Sequence, residues 1–189
     1  LSDYVILQAG GLVERYSESI SRPKSSAKII TNSVDTNYWS PSLKGEDFDN
    51  KDFLKLIFVG GADDSHGLFT ILNLMQRMIS ENHKIKMHLI TKPGIGDLNS
   101  VQEFIEKHSM QGNVIMETGL SRGQMRERYR GSDCLIYQTI NDGSPRVVAE
   151  ALSCGVSVIA SRHPGIEVLD EMNEFIKFTS FLDEIAIAN

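Results

Sequence analysis

The sequence predicts a doubly wound α/β domain, a parallel sheet covered by helices on both faces. Two observations carry this. From residue 54 onward, strand-like apolar runs alternate with segments of helical period, and the first of those runs, "LKLIFVGG", is a near-continuous apolar stretch ending in glycines. A strand buried on both faces has no reason to alternate polar and apolar residues.

The elements follow in order. "LKLIFVGG" (Leu54 to Gly61) reads as the first strand. Leu68, Ile71, Leu72, Met75, Met78 and Ile79 recur at the three- and four-residue spacing of one helix face. "IKMHLITKPG" gives a second strand, and Val101, Phe104 and Ile105 share one side of the next helix. "NVIMETG" is a third strand, followed by a polar helix around Met125 and Tyr129. "DCLIYQTI" makes a fourth, "NDGSPRVVAEALSCG" a helix, and "VSVIAS" a fifth strand. Ligands of such a sheet bind in the crevice beyond the carboxyl ends of its strands.

The first fifty residues break this rhythm. "SDYVILQ", a helix from about residue 11 to 19, and "AKIITNSVD" form one βαβ remnant, and "YWSPSLKGEDFDNKD" reads as a polar, turn-rich linker. Residues 1–50 are therefore read as the end of a preceding domain plus linker, and residues 51–189 as the ligand-binding domain. The opening on Leu1 in place of Met is read as the mark of a fragment or processed chain.

Composition narrows the function classes. With 189 residues, 41% hydrophobic and 23% charged, the chain is long enough for one real core. A net charge of -6 offers no basic footprint for nucleic acid. Cys134 and Cys154 lie apart in apolar surroundings, which predicts buried thiols in a reducing compartment and no zinc site. No apolar run is long enough to span a bilayer and no signal peptide opens the chain, so a cytoplasmic enzyme or binding protein is expected.

The stretch from 141 to 155 carries the chemistry. Ser144 is expected as an N-cap, Pro145 at the first helical position and Gly155 as the C-terminal stop. The helix between them starts abruptly at a strand end, so its free amides and positive dipole end face the crevice, where phosphate gains about 0.3 to 1 kcal/mol from the dipole alone. At 100° per residue, Val147, Val148, Ala151 and Leu152 face the core, and Arg146, Glu150 and Ser153 face away. Glu150 can accept two hydroxyls of one ribose, and Asp142, ahead of the helix, can accept sugar hydroxyls across the phosphates. A plainer alternative stands beside this: an acid near a helix N-terminus is a common stabiliser, and Arg146 with Glu150 is an ordinary i, i+4 pair. On the residues alone both readings stand.

"DGSPRVVAEALSCGVSVIAS" resembles the donor-site signature of retaining GT-B glycosyltransferases, the large family four group. "TNSVDTNYWSP" (Thr31 to Pro41) is similar to the segment with which that family leaves its first domain. "FVGG" with "HG" seven residues on, and "PGIEVL" after the fifth strand, fall where the family has its glycine loop and its Gly-x-x-Glu loop. The resemblance implies a Rossmann-like C-terminal lobe of a GT-B fold that binds a nucleotide-sugar donor and transfers its sugar with retention. It implies Glu150 on the ribose, Asp142 on the transferred sugar, and the backbone of Gly143, Ser144, Arg146 and Val147 around the diphosphate. Gly60, Gly61 and His66 would form the glycine loop, Gly119, Leu120 and Ser121 would lie against the nucleobase, and Glu167 would support the donor. In the family the departing phosphate assists acceptor deprotonation, so neither metal nor cofactor is expected. The acceptor, a glycan, a lipid or a small molecule, would bind an upstream domain that is also the expected route to any peripheral association with the inner membrane face.

Departures accompany the resemblance. The family's Arg and Lys clamps on the diphosphate are replaced by Gly61 and His66. Preorganised cations there are a large electrostatic contribution to such chemistry, and His66 is at most partly protonated near neutrality. Arg146 or Lys92 could substitute, Lys92 being the more ordinary surface charge. The first acid is Asp142 where Glu is usual, one methylene shorter. His163 precedes Pro164 at a strand end and is expected to be structural. Two alternatives remain open: a non-catalytic GT-B relative serving as scaffold or subunit, and a sugar-nucleotide epimerase. A Rossmann dehydrogenase is disfavoured because "GGADDSHG" lacks the G-x-G-x-x-G spacing.

Overall fold

The structure, a computed structural model, describes residues 5–8, 13, 17–19, 23–42, 52–139, 142–170, 174–183 and 187. Two short strands, β1 (Val5–Leu7) and β2 (Ala27–Ile29), pair in parallel with Val5 opposite Ala27. The helix expected between them lies largely outside the described residues.

The larger unit runs β3 (Leu54–Ala62), α1 (Leu68–Ser80), β4 (Ile85–Gly96), α2 (Leu98–Lys107), β5 (Val114–Thr118), α3 (Arg122–Arg130), β6 (Cys134–Tyr137), α4 (Arg146–Ser153), β7 (Ser157–Ser161), α5 (Pro164–Glu167) and β8 (Ile176–Thr179). Its six strands are all parallel, in the order β5-β4-β3-β6-β7-β8. The chain starts at the centre of the sheet, winds outward through β4 and β5, then returns to β6 on the other side of β3. Strand order reverses between β3 and β6, and a crevice opens at such a switch point beyond the carboxyl ends.

Successive side chains of a strand face opposite ways, and β3 shows why both faces need helices. Leu56 and Phe58 enter one core with Leu68, Leu72 and Met75 of α1. Ile57 and Val59 enter the other with Tyr129, Val148 and Ala151 of α3 and α4. Each fully buried side chain of this size stabilises the fold by about 1.5 to 3 kcal/mol. The helix ends are set locally. Asp97 caps α2 through the Asn99 amide, and Ser121 with Gln124 forms a capping box at α3. Gly155 follows α4 at φ 82, a left-handed turn that a side chain would strain.

All five expected strands and the helices between them are present. The structure adds β8, whose Lys177 pairs with Ile159 of β7, and folds the expected Pro-Gly-Ile-Glu loop into the short helix α5. It also alters the reading of the linker. Polar composition predicts that residues 38–52 are solvated, yet Trp39 is 4% exposed and meets Tyr129 edge-on with ring centroids 5.7 Å apart. The physical reason lies on α3, whose Arg122, Arg126 and Arg130 recur every fourth residue on one face. The first two guanidiniums lie 4.2 and 4.5 Å from the Tyr38 ring centre. Arg130 Nε donates to the Ser40 carbonyl at 2.8 Å. Residues 32–40 thereby form a strap on the second unit. No helix among the described residues is long and apolar enough to cross a membrane.

Candidate functional site

A cleft of about 960 Å³ opens beyond the carboxyl ends of β3, β4 and β6. One wall is the strap, through Asn32–Asp35 and Trp39. Val59, Gly60, His66, Lys92 and Tyr137 also line the cleft. The floor is the start of α4, with Ser144, Pro145, Arg146 and Val147 between Asp142 and Glu150. Arg122, first residue of α3, closes the end beside Glu150.

Both acids therefore border one cleft, but their surroundings differ. Asp142 Oδ2 accepts from the buried Tyr137 hydroxyl at 2.5 Å, and its Oδ1 accepts from the Ser144 amide at 3.1 Å. A carboxylate has about four acceptor positions, so two remain for a ligand. Glu150 is half-buried and accepts one bond, from Tyr129 Oη at 3.3 Å. Burial pushes its carboxyl above the usual range, offset in part by that bond and by the charges of Arg146 and Arg122. Burial likewise pushes the phenols of Tyr129 and Tyr137 up, so both remain hydrogen-bond donors at neutral pH.

The mouth of α4 differs by one residue from expectation. The helix begins at Arg146, with Pro145 in the capping position and no side-chain cap. Ser144 is not the cap because its hydroxyl accepts the Asn32 amide at 2.9 Å. Its own amide is taken by Asp142, and the Ala149 amide makes the first helical bond, to the Pro145 carbonyl, so the first-turn amides without an intrahelical acceptor are those of Arg146, Val147 and Val148.

The two clamp positions also resolve. His66 closes a short 3-10 turn, Asp64–His66, its ring 5.6 Å from that of Tyr137 and its Nδ1 2.9 Å from Ser65 Oγ. Burial pushes His66 below the ordinary imidazole range; Asp142 and Asp63 pull it up and Lys92 pushes it further down. His66 is therefore neutral at pH 7 and supplies no fixed cation. Lys92, read from sequence as a surface charge, lines the cleft, as do Arg122 and Arg146.

Several expected site residues stand outside the cleft lining. Gly61 and Gly143 flank it, and a Cβ on Gly61 would meet Ile95 Cγ2 at 2.6 Å. Gly119, Leu120 and Ser121 form the turn into α3, Ser121 as its N-cap, and only the adjoining Arg122 enters the lining. Glu167 turns to Arg162, 2.9 Å away, so its carboxylate is occupied by a surface ion pair. His163 is structural, as expected: its Nδ1 accepts the Gly165 amide at 3.1 Å and caps α5. Gly165 itself is required by close approach, since a Cβ there would meet the Asp142 carbonyl oxygen at 2.1 Å. α5 thus buttresses the loop that carries Asp142. Cys134 and Cys154 are free and buried, and burial pushes both thiols up to about 11.

Sequence reasoning missed Asn32, Trp39, Arg122, Tyr129 and Tyr137 as parts of the site. Tyr137, in the carboxyl half of the predicted strand 133–140 and the last residue of β6, carried the one available signal, because strand ends feed the crevice. The others reach it through contacts distant in sequence.

Comparison with known proteins agrees with this architecture. A glycosyltransferase of Methanocaldococcus jannaschii, itself uncharacterized, is 27% identical over 112 residues, covering 59% of this chain and 26% of that protein. The Anabaena protein HepE, whose crystal structure holds UDP and glucose, superposes over 100% of this chain and 52% of its own with a TM-score of 0.79 at 14% identity. Sucrose-phosphate synthase of Thermosynechococcus elongatus does so with a TM-score of 0.80 at 18% identity, over 100% of this chain and 48% of its own. The chain thus spans about half the length of these solved structures, and its fold is that of a GT-B C-terminal lobe. The glycosyl transferases group 1 family matches residues 42–182, from just after the strap through β8, and the chain belongs to that family.

Proposed function

We propose that this chain is the donor-binding lobe of a glycosyltransferase that moves a sugar from a nucleoside diphosphate to an acceptor with retention. The observation that carries the reading is the α4 mouth, set in the cleft floor between Asp142 and Glu150. Glu150 accepts the ribose hydroxyls, Asp142 the hydroxyls of the transferred sugar, and the amides of Arg146 and Val147 the diphosphate. The cations facing the phosphates are Lys92, Arg122 and Arg146, which take over what Gly61 and His66 do not supply. Lys92, Arg122 and Arg146 share the lining with Asp35, Asp142 and Glu150, so the cleft offers cations for a diphosphate beside acceptors for sugar hydroxyls. HepE was solved with UDP-glucose, which supports a nucleoside-diphosphate hexose as the first donor to try. The reading assigns no metal or cofactor, and places the acceptor on the part of the protein that precedes the strap.

Calorimetric titration with UDP-, GDP- and ADP-sugars tests it. Saturable binding of one of them is expected. With the fold intact by circular dichroism, no binding by any of the three would overturn the proposal.

One observation favours a second reading, that of a non-catalytic GT-B relative: the clamp positions hold a glycine and a histidine that burial keeps neutral. Donor hydrolysis or transfer by the full-length protein separates the two, and its absence despite tight donor binding would favour the second.

A further inference from the structure

The strap reaches the floor of the cleft through one side chain. Asn32 donates twice to Ser144, two residues ahead of α4, its amide N–H to Ser144 Oγ at 2.9 Å and its Nδ2 to the Ser144 carbonyl at 2.7 Å. These bonds join residues 112 apart in sequence. Ser144 in turn donates its amide to Asp142 Oδ1, whose other oxygen is held by Tyr137. On the far side, Gln8 Nε2 donates to Asn32 Oδ1 at 3.2 Å, which leaves Nδ2 as the end of the amide that faces Ser144. Gln8 directly follows β1, so the chain of contacts runs from the first unit, through Asn32, to the floor of the cleft. The strap around Asn32 is anchored independently, by Arg130 at Ser40 and by the buried Trp39.

We infer that Asn32 is a positioning residue for the donor site, holding the Ser144 peptide so that the α4 mouth and Asp142 keep one geometry, and linking that geometry to the placement of the first unit. The inference rests on the proposed donor reading and deepens it. Asn32 acts through Ser144: its side-chain amide is spent on Gln8 and on the Ser144 carbonyl, and its backbone amide on Ser144 Oγ. Removing it leaves the Ser144 carbonyl without this donor and frees the turn on which Asp142 depends. A position made by two bonds to the same residue also predicts coupling, because loosening either bond releases the same junction.

The test is a double-mutant cycle on the full chain, with UDP as probe and GDP and ADP in parallel. Asn32→Ala and Ser144→Ala are each expected to weaken nucleotide binding about tenfold, and the double variant by little more than either alone. Asn32→Asp, equal in size but with a carboxylate oxygen in place of the donor, is expected to weaken binding at least as much as Asn32→Ala. Melting temperatures identify any variant that unfolds, and the isosteric Asn32→Asp keeps the test informative if the alanine variant does. Wild-type affinity in a folded Asn32→Asp, or single effects that multiply in the double variant, would overturn the positioning role while leaving the donor reading intact. Failure of the wild type to bind any of the three nucleotides would overturn both.

Discussion

The two ends of the α4 mouth are built from opposite materials. At one end Asp142 sits on a loop, each carboxylate oxygen already held, between Tyr137 and the Ser144 amide. At the other, Glu150 sits within the helix, half-buried, with one phenol for company. The same residue class, eight positions apart, is a constrained acceptor at one end and a desolvated, under-satisfied one at the other. Spacing in a motif places functional groups, but their neighbours decide how much each can still give to a ligand. An acceptor that already holds its bonds is pre-aimed and selective; one that lacks partners gains most when a ligand arrives.

Breaking the Asp142 end at its support is expected to have the largest effect. Gly165→Ala drives a Cβ into the backbone of the Asp142 loop and should cost about 3 kcal/mol by urea unfolding, with nucleotide affinity lost alongside. Wild-type stability and affinity in that variant would show that α5 does not hold the loop.

Next comes Glu150→Gln, which keeps the shape and removes the charge. It should weaken nucleoside-diphosphate binding by about 10- to 100-fold in calorimetry. Its effect on stability runs the other way. Glu150 has a folded value raised above its unfolded one, so its contribution is fully present below the unfolded value and is lost as pH rises through the folded one. Glu150→Gln should therefore be more stable than wild type at pH 7, with the gap closing near pH 4. Equal stabilities at both pH values would remove the contrast between the two acids.

Tyr137→Phe sharpens the other half of the comparison. It removes the hydroxyl that holds Asp142 Oδ2 and should lower stability by about 1 kcal/mol, while, under the proposed donor reading in which Asp142 serves the sugar, sugar-nucleotide affinity falls more than affinity for the free nucleotide. Equal losses for both ligands would detach Asp142 from the sugar.

The smallest expected change is a gain. Under the proposed donor reading, His66→Lys places a fixed cation in the cleft near the phosphates, where wild-type His66 is neutral because burial lowers it, and should tighten UDP binding about threefold at pH 7.5. Wild-type binding should approach the variant's on acidification below the ordinary histidine range, as His66 takes up its proton.

Much of the fold was legible because its signals are local. Leu68 to Ile79 declares its helix in twelve residues, and "LKLIFVGG" declares a strand buried on both sides. β8 was not read: Ile176–Thr179 is four residues long, at the sheet edge. The site was legible where it lies along the chain, in the mouth from Asp142 to Glu150, and illegible where it closes across it. Trp39 looks like a linker residue until Tyr129 is known to lie beneath it. Arg122, Arg126 and Arg130 look like a solvated helix face until Tyr38 and Ser40 are laid across them. Ser144 is misread by one position because its hydroxyl serves Asn32, which no periodicity reports.

The buried thiols carry a practical consequence. Cys134 and Cys154 are the chain's only cysteines, and both are sheltered from solvent with their protons held to about pH 11, so thiol-directed reagents should pass them by at neutral pH. A single cysteine introduced on the exposed surface of the strap would then be the sole target for a fluorophore or spin label. The native chain is thus a ready background for watching, in solution, whether that segment moves when a nucleotide enters.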